Sequence, residues 1–376
     1  MSKSKSLSAT TLNMKGDGYY DDHSQVQNLV LVRLLPLLDE CLAAVPAPAV
    51  GQSFGIVDYG CSEGKNSIFV VRAVIDRIRA SRPKQAFSVV HEDLPTNNFN
   101  RLFQQLYESA PYDATPESPV HVFASGASFY SAVVPPQTVH FGISSSALHW
   151  TSVHPVLANH IYHCVATTEE QTIYAAAAAE DWQKFLVQRA HELVDGGRLI
   201  VTMAARFDAA DSASDDTYSA QLVLELLNEI LEQLVVEGKI ERSSLDAFSI
   251  PIYSRSKNEI VEPVINGVVK DVLSFESLEV EIIPCPFHVA YKQDGDARKY
   301  ADGLTGIVRA IIEPVLLRGL FQSKERRRSE LAASAEQKLA DTIFERFHAA
   351  VLAKPDQYTF YPKHATMVLK KNSTAK

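Results

Sequence analysis

The chain has 376 residues, of which 46% are hydrophobic and 22% charged, and its formal net charge is −9 at pH 7. This composition is typical of a globular protein with a large core, and the negative charge argues against nucleic acid as the main partner, because a phosphate backbone attracts a basic face. No apolar run reaches the roughly 18 residues that span a bilayer, and residues 1–11 lack the apolar segment of a signal peptide, so we expect a cytoplasmic protein with no membrane association and four free cysteines.

The first predicted element is a helix that begins near Ser24. Val26, Leu29 and Val30 start a stripe of apolar residues with a 3.6-residue period, which continues to Leu42 and is interrupted at Pro36. The preceding segment, residues 14–27, is rich in glycine and tyrosine. It fits either an N-terminal flap over a binding site or a solvated lead-in to the helix.

A strand, a glycine turn and a helix are predicted between residues 54 and 78. Gly60 and Gly64 in the turn allow a ligand to approach the backbone N–H groups at the start of the helix. The spacing D-x-G-x-x-x-G differs from the G-x-G-x-x-G of dinucleotide pyrophosphate sites. An amino-acid moiety therefore suits the turn better, although a strand–turn–helix unit without a ligand has the same pattern.

The second predicted strand, residues 86–93, ends in Glu92 and Asp93. An acidic side chain at the end of the second strand of a nucleoside-binding sheet can accept hydrogen bonds from both ribose hydroxyls. Asp93 could equally cap the helix or turn that follows it. Both interpretations place the residue at the carboxyl end of the strand.

Three further strands, at 121–124, 138–143 and 198–203, indicate a mostly parallel sheet, because a long helix at 174–194 separates the last two. We expect Gly196 and Gly197 to cap that helix at its C-terminus. Ser128 and Phe129 follow the third strand, and residues 144–150 follow the fourth. Open α/β sheets bind ligands at these carboxyl ends.

The alternation of strands and helices stops after residue 207. An acidic loop at 207–217, a helix at 222–237 and a proline-broken segment at 245–253 predict a helical cap over residues 208–275. Residues 1–207 and 276–376 would then form the core. In the C-terminal part we predict a strand at 278–283, a solvated basic helix face at 324–328 and a closing edge strand at 366–370.

Six blocks of sequence occur in the order found in the SABATH methyltransferases, the salicylic acid, benzoic acid and theobromine group of S-adenosylmethionine-dependent enzymes. The chain resembles that family in YDDHSQVQ at 20–27, DYGCSEGKN at 58–66, EDLPTNNFN at 92–100, GASFY at 126–130, SSSALHW at 144–150 and FSIPIY at 248–253. One such block would be weak support. Six in order form a specific pattern.

The resemblance implies a Rossmann-like class I methyltransferase of the α/β class, with a central, mostly parallel seven-stranded sheet and an α-helical cap. It implies S-adenosyl-L-methionine as cofactor and a homodimer as assembly. It also assigns cofactor-binding roles. The methionine part would be held by Ser24, Asp58, Gly60 and Asn66, the ribose by Asp93, and the adenine by Leu94, Ser128 and Phe129.

The same resemblance implies a small-molecule carboxylic acid, aromatic or terpenoid, as substrate. Gln27 and Trp150 would bind its carboxylate, and the pocket would be lined or closed by His149, Tyr20, Tyr253 and Ser146. Ser146 departs from the family pattern, which has tyrosine there. Ser249 replaces an asparagine, which places the magnesium site of some members in doubt, so we predict no metal.

Physical chemistry supports these roles without the family name. A carboxylate with a pKa near 4 is ionised at neutral pH and needs no general base to accept a methyl group. The protein must therefore supply proximity and orientation, which can contribute roughly 7–11 kcal/mol. Neutral donors such as the Gln27 amide and the Trp150 indole fix the oxygens without weakening the nucleophile.

Three alternatives stay open at the sequence level. Some family members methylate a nitrogen of a heterocycle, so an N-methyltransferase is the nearest. A Rossmann-type oxidoreductase is a second, although the missing G-x-G-x-x-G counts against it. A catalytically silent cofactor-binding partner is the third, and in that case Gln27 and Trp150 would have no role.

Overall fold

The computed structural model describes residues 7–8, 14–16, 18–158, 160–208, 220–321 and 330–373. Its strands are β1 (Leu7–Ser8), β2 (Phe54–Tyr59), β3 (Phe87–Asp93), β4 (Val120–Gly126), β5 (Val139–Ser145), β6 (Val153–His154), β7 (Leu193–Arg206), β8 (Arg255–Ser256), β9 (Leu273–Ile282) and β10 (Lys363–Lys371). Its helices are α1 (Tyr19–Asp22), α2 (Gln25–Ala44), α3 (Lys65–Ser81), α4 (Phe99–Ser109), α5 (Thr168–Glu192), α6 (Gln221–Val236), α7 (Arg242–Leu245), α8 (Lys257–Ile265), α9 (Pro286–Asp294), α10 (Ala297–Phe321) and α11 (Glu330–Ala353).

The central sheet has the strand order β4-β3-β2-β5-β7-β10-β9, and β8 pairs with β7 beside this path. The strands from β4 to β7 run parallel, whereas β10 is antiparallel to both of its neighbours. Seven strands on the main path, with helices in their connections, confirm the predicted Rossmann-like α/β fold.

The prediction that residues 366–370 close the sheet at its edge is wrong. β10 lies between β7 and β9, where Met367 pairs with Val201 on one side and Leu278 on the other. Ala365, Met367 and Leu369 are buried, and so is Val368 on the opposite face. A strand covered on both faces belongs inside a sheet, and this burial outweighs the charge of the lysines near its end.

The predicted helix cap at Gly196 and Gly197 is also wrong. α5 ends at Glu192, and β7 begins at the next residue. The two glycines lie where the pairing of β7 with β5 shifts register, and Gly196 has a φ of 76°. They therefore form a bulge at the start of a strand, another place where a left-handed backbone favours glycine.

The strand–turn–helix unit around Gly60 is rigid for two reasons. Every residue of β2 is buried, and α3 packs one apolar face against the same core. The turn has no room for side chains at either glycine: a Cβ at Gly60 would lie 2.6 Å from the Cβ of Ala147, and one at Gly64 would lie 2.5 Å from Leu102 Cδ1. Both residues also have positive φ angles.

The helices above the sheet share a hydrophobic cluster of their own. It contains residues of α6, α10 and α11, among them Leu227, Leu304 and Phe347, whereas Ile260 of α8 packs with the sheet. This packing favours a cap built from segments on both sides of β9, rather than from residues 208–275 alone. Most of the predicted acidic loop at 207–217 and the basic run at 324–328 fall outside the described residues.

The remaining predicted elements are close to their observed bounds. α2 includes Pro36 within the helix, and α6 ends just before Gly238, whose φ is 68°. Within the described ranges, none of the helices combines the length and the apolar character that crossing a membrane requires.

Candidate active site

Three cavities adjoin one another at the carboxyl ends of the parallel strands. We call them the sheet cavity, of about 840 Å³, the narrow cavity, of about 370 Å³, and the cap cavity, of about 920 Å³. Tyr20 lines all three, so they form one continuous site. This is the edge at which open α/β sheets bind ligands.

Asp93 lies at the end of β3 and lines the sheet cavity. The backbone N–H of Ser62 donates to its Oδ2 at 2.7 Å, and the N–H of Leu94 donates to its Oδ1 at 2.8 Å. Each oxygen keeps lone pairs for a further donor, so the carboxylate can accept two hydroxyl groups. Burial raises the pKa of Asp93 to about 6, and the two N–H groups oppose that rise.

Leu94, Ser128 and Phe129 complete the less polar part of the sheet cavity. The loop that carries Ser128 and Phe129 is held from below by Arg189 of α5, which is fully buried. Its guanidinium donates to the carbonyl oxygens of Phe129 at 2.8 Å and Ser131 at 2.9 Å. The structure thus brings these three predicted residues together with Asp93.

The narrow cavity is lined by Asp58, Asn66 and Gly60 among others. Asn66 donates from Nδ2 to the hydroxyl of Ser24 at 3.2 Å and accepts from the Nδ2 of Asn28 at 3.3 Å. Ser24 does not line any of the three cavities. The structure therefore places it behind Asn66, where it orients that amide.

Asp58, which lines the narrow cavity, and the neighbouring Glu92 are buried carboxyl groups with raised pKa values. Burial raises the pKa of Asp58 to about 7, and the nearby charge of Asp93 adds to the rise while a hydrogen bond from Ser67 opposes it. Glu92 is buried beside them, with the Gly60 N–H donating to its Oε2 at 3.1 Å, and its pKa is raised well above the usual range, mainly by burial. A positively charged ligand would stabilise the ionised form of Asp58, so the narrow cavity favours such a ligand.

The cap cavity has a different chemistry. Its walls are mostly aliphatic, and no Lys, Arg, Asp or Glu of the described chain lines it. Its apolar lining comes mainly from α6, α10 and the approach to β10: Val223, Leu224, Ile307, Val308, Ile311, Ile312 and Phe360. Such a cavity fits the apolar part of a small molecule.

Polar groups stand where the cap cavity adjoins the other two. Gln27 lines the cap and narrow cavities, while Ser146 and Trp150 line the cap and sheet cavities. The Oε1 of Gln27 and the hydroxyl of Ser146 are buried and have no hydrogen-bond partner in the described part of the chain. Unpaired buried polar atoms are costly, so both groups fit a site that a ligand completes.

His149 lines the cap cavity next to Trp150. The backbone N–H of Ala204 donates to its Nδ1 at 3.4 Å, and buried Arg255 fixes the same turn by donating to the carbonyl oxygen of Leu148 at 2.6 Å. Burial, together with the nearby His364 and Arg255, lowers the pKa of His149 to about 3. The ring is therefore neutral at physiological pH.

Tyr253 lies elsewhere than expected. Its hydroxyl donates to Glu259 at 2.6 Å, and its ring packs with Tyr174, outside all three cavities. Its neighbours Ile252 and Ser254 line the cap cavity instead. In an extended segment successive side chains point to opposite sides, so the motif reaches the site through the residues that flank its tyrosine.

The sequence interpretation missed most of the cap cavity. His364 at the start of β10 and four residues of α10 line it, and none of them was predicted. Ile307, Val308, Ile311 and Ile312 have the spacing of one helix face, which was visible in the sequence. That spacing shows burial but not the surface against which the face packs.

The N-terminal flap closes the site from above. The N–H of Lys15 donates to the carbonyl oxygen of Ala310 on α10 at 3.0 Å, and its ammonium pairs with Glu313. At the other end the N–H of Gly18 donates to Glu63 Oε2 at 2.9 Å. These contacts bridge the glycine turn and the cap, which contradicts a merely solvated lead-in.

Among the described residues, no group of three or more His, Cys, Asp or Glu side chains is arranged to hold a metal ion. The polar atoms that line the cavities are instead hydroxyls, amides, rings and carboxylates at separate positions. These groups therefore determine which ligands the site can bind.

Comparison with known proteins identifies relatives of the chain. The sequence profile described as "SAM dependent carboxyl methyltransferase" matches residues 9–359. Salicylate carboxymethyltransferase of Clarkia breweri is 29% identical over 329 residues, covering 81% of this chain and 87% of that protein. A probable caffeine synthase of Coffea canephora is 26% identical over 339 residues, covering 80% and 85%.

Among solved structures, loganic acid methyltransferase with SAH superimposes with a TM-score of 0.73. The two sequences are 23% identical, and the match covers 96% of this chain and 99% of that one. At this identity the likeness concerns the fold, and it extends over nearly the entire length of both chains.

Proposed function

The chain belongs to the family of S-adenosylmethionine-dependent carboxyl methyltransferases, and from that premise we propose that it converts the carboxylate of an aromatic or terpenoid acid to a methyl ester. The cap cavity would hold the acid, and the sheet and narrow cavities would hold the cofactor. The boundary residues Tyr20, Gln27, Ser146 and Trp150 would lie between the two molecules.

The residues present fit S-adenosylmethionine. Asp93 has free lone pairs for the two ribose hydroxyls, while Phe129 and Leu94 provide apolar contact for the adenine. Asp58 and Asn66 offer a carboxylate and an amide to the methionine ammonium and carboxylate. When bound, the cofactor supplies an electrophilic methyl group on a sulfonium.

The chain's own contribution is to hold the acid in place. The amide of Gln27 and the indole N–H of Trp150 are neutral donors at the boundary of the cap cavity, and each can bind one carboxylate oxygen. A neutral donor leaves the negative charge on the nucleophile, whereas a bound Lys or Arg would reduce it. Orientation of this kind is the principal catalytic effect that the site can provide.

No general base is required. A carboxylic acid is ionised well below neutral pH, so no proton has to be removed before transfer. His149 is neutral and could not form an ion pair with the acid. The aliphatic walls of the cap cavity exclude water from the reacting oxygen, which also strengthens the two hydrogen bonds.

One observation gives the proposal its main support. An uncharged, mostly aliphatic cavity adjoins the cofactor cavities, and its polar donors are concentrated where they adjoin. This favours a small acid over a nucleotide or a protein substrate. Methylation of a ring nitrogen, the activity in the name of the coffee relative, is the second candidate and is included in the test.

The test is transfer of labelled methyl from S-adenosylmethionine to benzoate-, indole- and terpenoid-type acids, with xanthine-type acceptors alongside. We expect a base-labile product from at least one acid. Gln27→Ala and Trp150→Phe should each lower kcat/KM for that acid by about 10- to 100-fold, because a hydrogen bond to a charged group contributes about 1.5–3 kcal/mol.

Gln25→Ala is the matched control, since Gln25 lies on the same helix but is exposed. It should leave kcat/KM within about twofold of the wild type. Product from the heterocycles alone would contradict the carboxylate roles of Gln27 and Trp150. Cofactor binding without any product would support the silent-partner alternative.

We also propose that the chain forms a homodimer. β4 is one of the two outer strands on the main path of the sheet and exposes 53% of Phe123, and an open apolar edge strand favours burial against another chain. Analytical ultracentrifugation should give a mass of about twice that of the chain. A monomer at micromolar concentration would contradict the proposal.

A further inference from the structure

We propose that His364 and His149 form a second hydrogen-bonding site in the cap cavity, which binds an uncharged oxygen atom of the acid outside its carboxylate. A ketone, hydroxyl or ether oxygen would fit. This inference rests on the proposed function, because it concerns the same substrate in the same cavity.

The two rings are brought together by the pairing of β10 with β7. His364 lies opposite Ala204 in the register of these strands. Ala204 in turn donates its backbone N–H to His149, so one residue of β7 touches both positions. Both rings line the cap cavity, which makes them neighbours on one wall.

The hydrogen bond from the backbone of Ala204 determines which ring nitrogen of His149 carries the proton. A backbone N–H can only donate, so Nδ1 of His149 must accept and its proton sits on Nε2. No residue that the structure describes accepts a hydrogen bond from that Nε2. His149 therefore offers one N–H donor that the protein does not use.

The contact with Thr202 determines which ring nitrogen of His364 carries the proton. The hydroxyl of Thr202 lies 3.4 Å from His364 Nδ1, and Thr202 is fully buried. If the hydroxyl only accepted, its own proton would have no partner among the residues that the structure describes, which is costly in a buried position. Thr202 therefore donates, and His364 also carries its proton on Nε2.

The site is uncharged as well as polar. Burial lowers the pKa of His364 to about 4, so both imidazoles are neutral at physiological pH. Within the described chain no charged side chain lines the cavity. A second carboxylate or an ammonium would have no counter-ion there, whereas a carbonyl or hydroxyl oxygen could accept one or both N–H groups.

The consequence is a preference among acids. An acid that is purely hydrocarbon apart from its carboxylate would leave two buried donors unpaired, and sites built around buried donors discriminate against ligands that lack the acceptor. An acid with an oxygen at the matching position would satisfy them. We therefore expect the substrate to be an oxygenated acid rather than plain benzoate or an unsubstituted terpenoid acid.

The experiment uses cyclic C10–C12 carboxylic acids that carry one ketone or hydroxyl at different ring positions, each paired with its deoxygenated parent. Binding to the full chain loaded with S-adenosylhomocysteine is measured by calorimetry, and methyl transfer is measured in parallel. The wild type should bind at least one oxygenated acid about tenfold more tightly than its parent.

His364→Leu should reduce that advantage to within about twofold, because the oxygenated acid loses a donor and the parent acid no longer leaves that donor unpaired. His364→Gln, which retains an N–H at a similar distance from the backbone, should restore part of it. His288→Leu is the control: His288 is also buried, but its Nδ1 bonds Tyr361 and it lies outside the cavity, so the preference should persist.

The outcomes separate the two proposals. Methylation of acids without any preference for an oxygenated member would overturn the second site and leave the proposed function intact. An equal loss for both members of a pair in His364→Leu would also overturn it, since that result indicates packing alone. If no acid is methylated, the proposed function fails and the inference fails with it.

Discussion

The cofactor side and the cap cavity of this site are built in opposite ways. On the cofactor side, short stretches of chain place polar atoms directly: Asp93 is gripped by the backbone N–H groups of Ser62 and Leu94. In the cap cavity, side chains from α1, α2, α6, α10, β7, β10 and several loops converge on one space. The first is set by backbone geometry and the second by packing.

The difference has an energetic side. The cofactor cavities contain buried carboxylates whose pKa values are raised by burial, so this half is costly until a cation arrives. No charged side chain of the described chain lines the cap cavity, and when it is empty the buried polar atoms of Gln27 and Ser146 at its boundary are unpaired. Cofactor binding should therefore depend strongly on pH, whereas acid binding should depend on the polar groups at the boundary and only weakly on single substitutions in the aliphatic wall.

The largest effect is expected at Asp93. Asp93→Ala removes two charge-assisted hydrogen bonds to the ribose, and we expect the affinity for S-adenosylhomocysteine to fall about 100-fold. Calorimetry measures it directly. Asp113→Ala, at an exposed residue whose carboxylate pairs with Arg72, should leave the affinity unchanged. If Asp93→Ala lowered the affinity by less than about threefold, the assignment of this carboxylate to the ribose would be contradicted.

The strand ends and turns were predictable from the sequence because their signals are local. Gly60 needs a positive φ and Asp93 follows a buried strand directly, so a few residues specify each position. Ile311 and His364 are more than 50 residues apart and meet only through packing. No local pattern shows which surface an apolar helix face covers, and for the same reason Tyr253 was placed on the wrong side of its segment.

The next largest effects are expected at Asp58, where one substitution should weaken cofactor binding but stabilise the unliganded protein. Asp58→Asn should lower the affinity for S-adenosylhomocysteine about tenfold at pH 8, because the ammonium loses an anionic partner. The same variant should raise the free energy of unfolding of the unliganded protein. With a pKa raised from 3.8 to about 7, the buried carboxylate costs on the order of 2–4 kcal/mol when ionised.

The pH dependence fixes the sign of that stability effect. Well below pH 4 Asp58 is protonated in both the folded and the unfolded chain, so Asp58→Asn and the wild type should be about equally stable. The cost to the wild type grows as pH rises from 4 to 7 and is complete above 7. Urea titrations at pH 4, 6 and 8 measure it. A variant that is less stable at pH 8 would contradict the account.

Cofactor affinity should change with pH in the opposite direction. The affinity of the wild type for S-adenosylhomocysteine should reach its maximum near pH 8 and be about fivefold lower at pH 6, since protonated Asp58 lacks the charge that pairs with the ammonium. In Asp58→Asn the slope between pH 6 and 8 should nearly disappear. An unchanged slope in the variant would assign the titration to another group.

The smallest effect is expected in the cap cavity, at Ile311. This residue is only partly buried and lines the cavity from α10, so Ile311→Phe adds volume at the wall without filling a packed core. We expect kcat/KM for bicyclic or larger acids to fall about fivefold, benzoate-sized acids to change less than twofold, and the affinity for S-adenosylhomocysteine to stay the same. Ile265→Phe, at an exposed position on α8 outside the cavity, is the matched control. If Ile311→Phe weakened cofactor binding as much as acid binding, the two halves of the site would be coupled through α10, and the contrast between backbone-set and packing-set cavities would not hold.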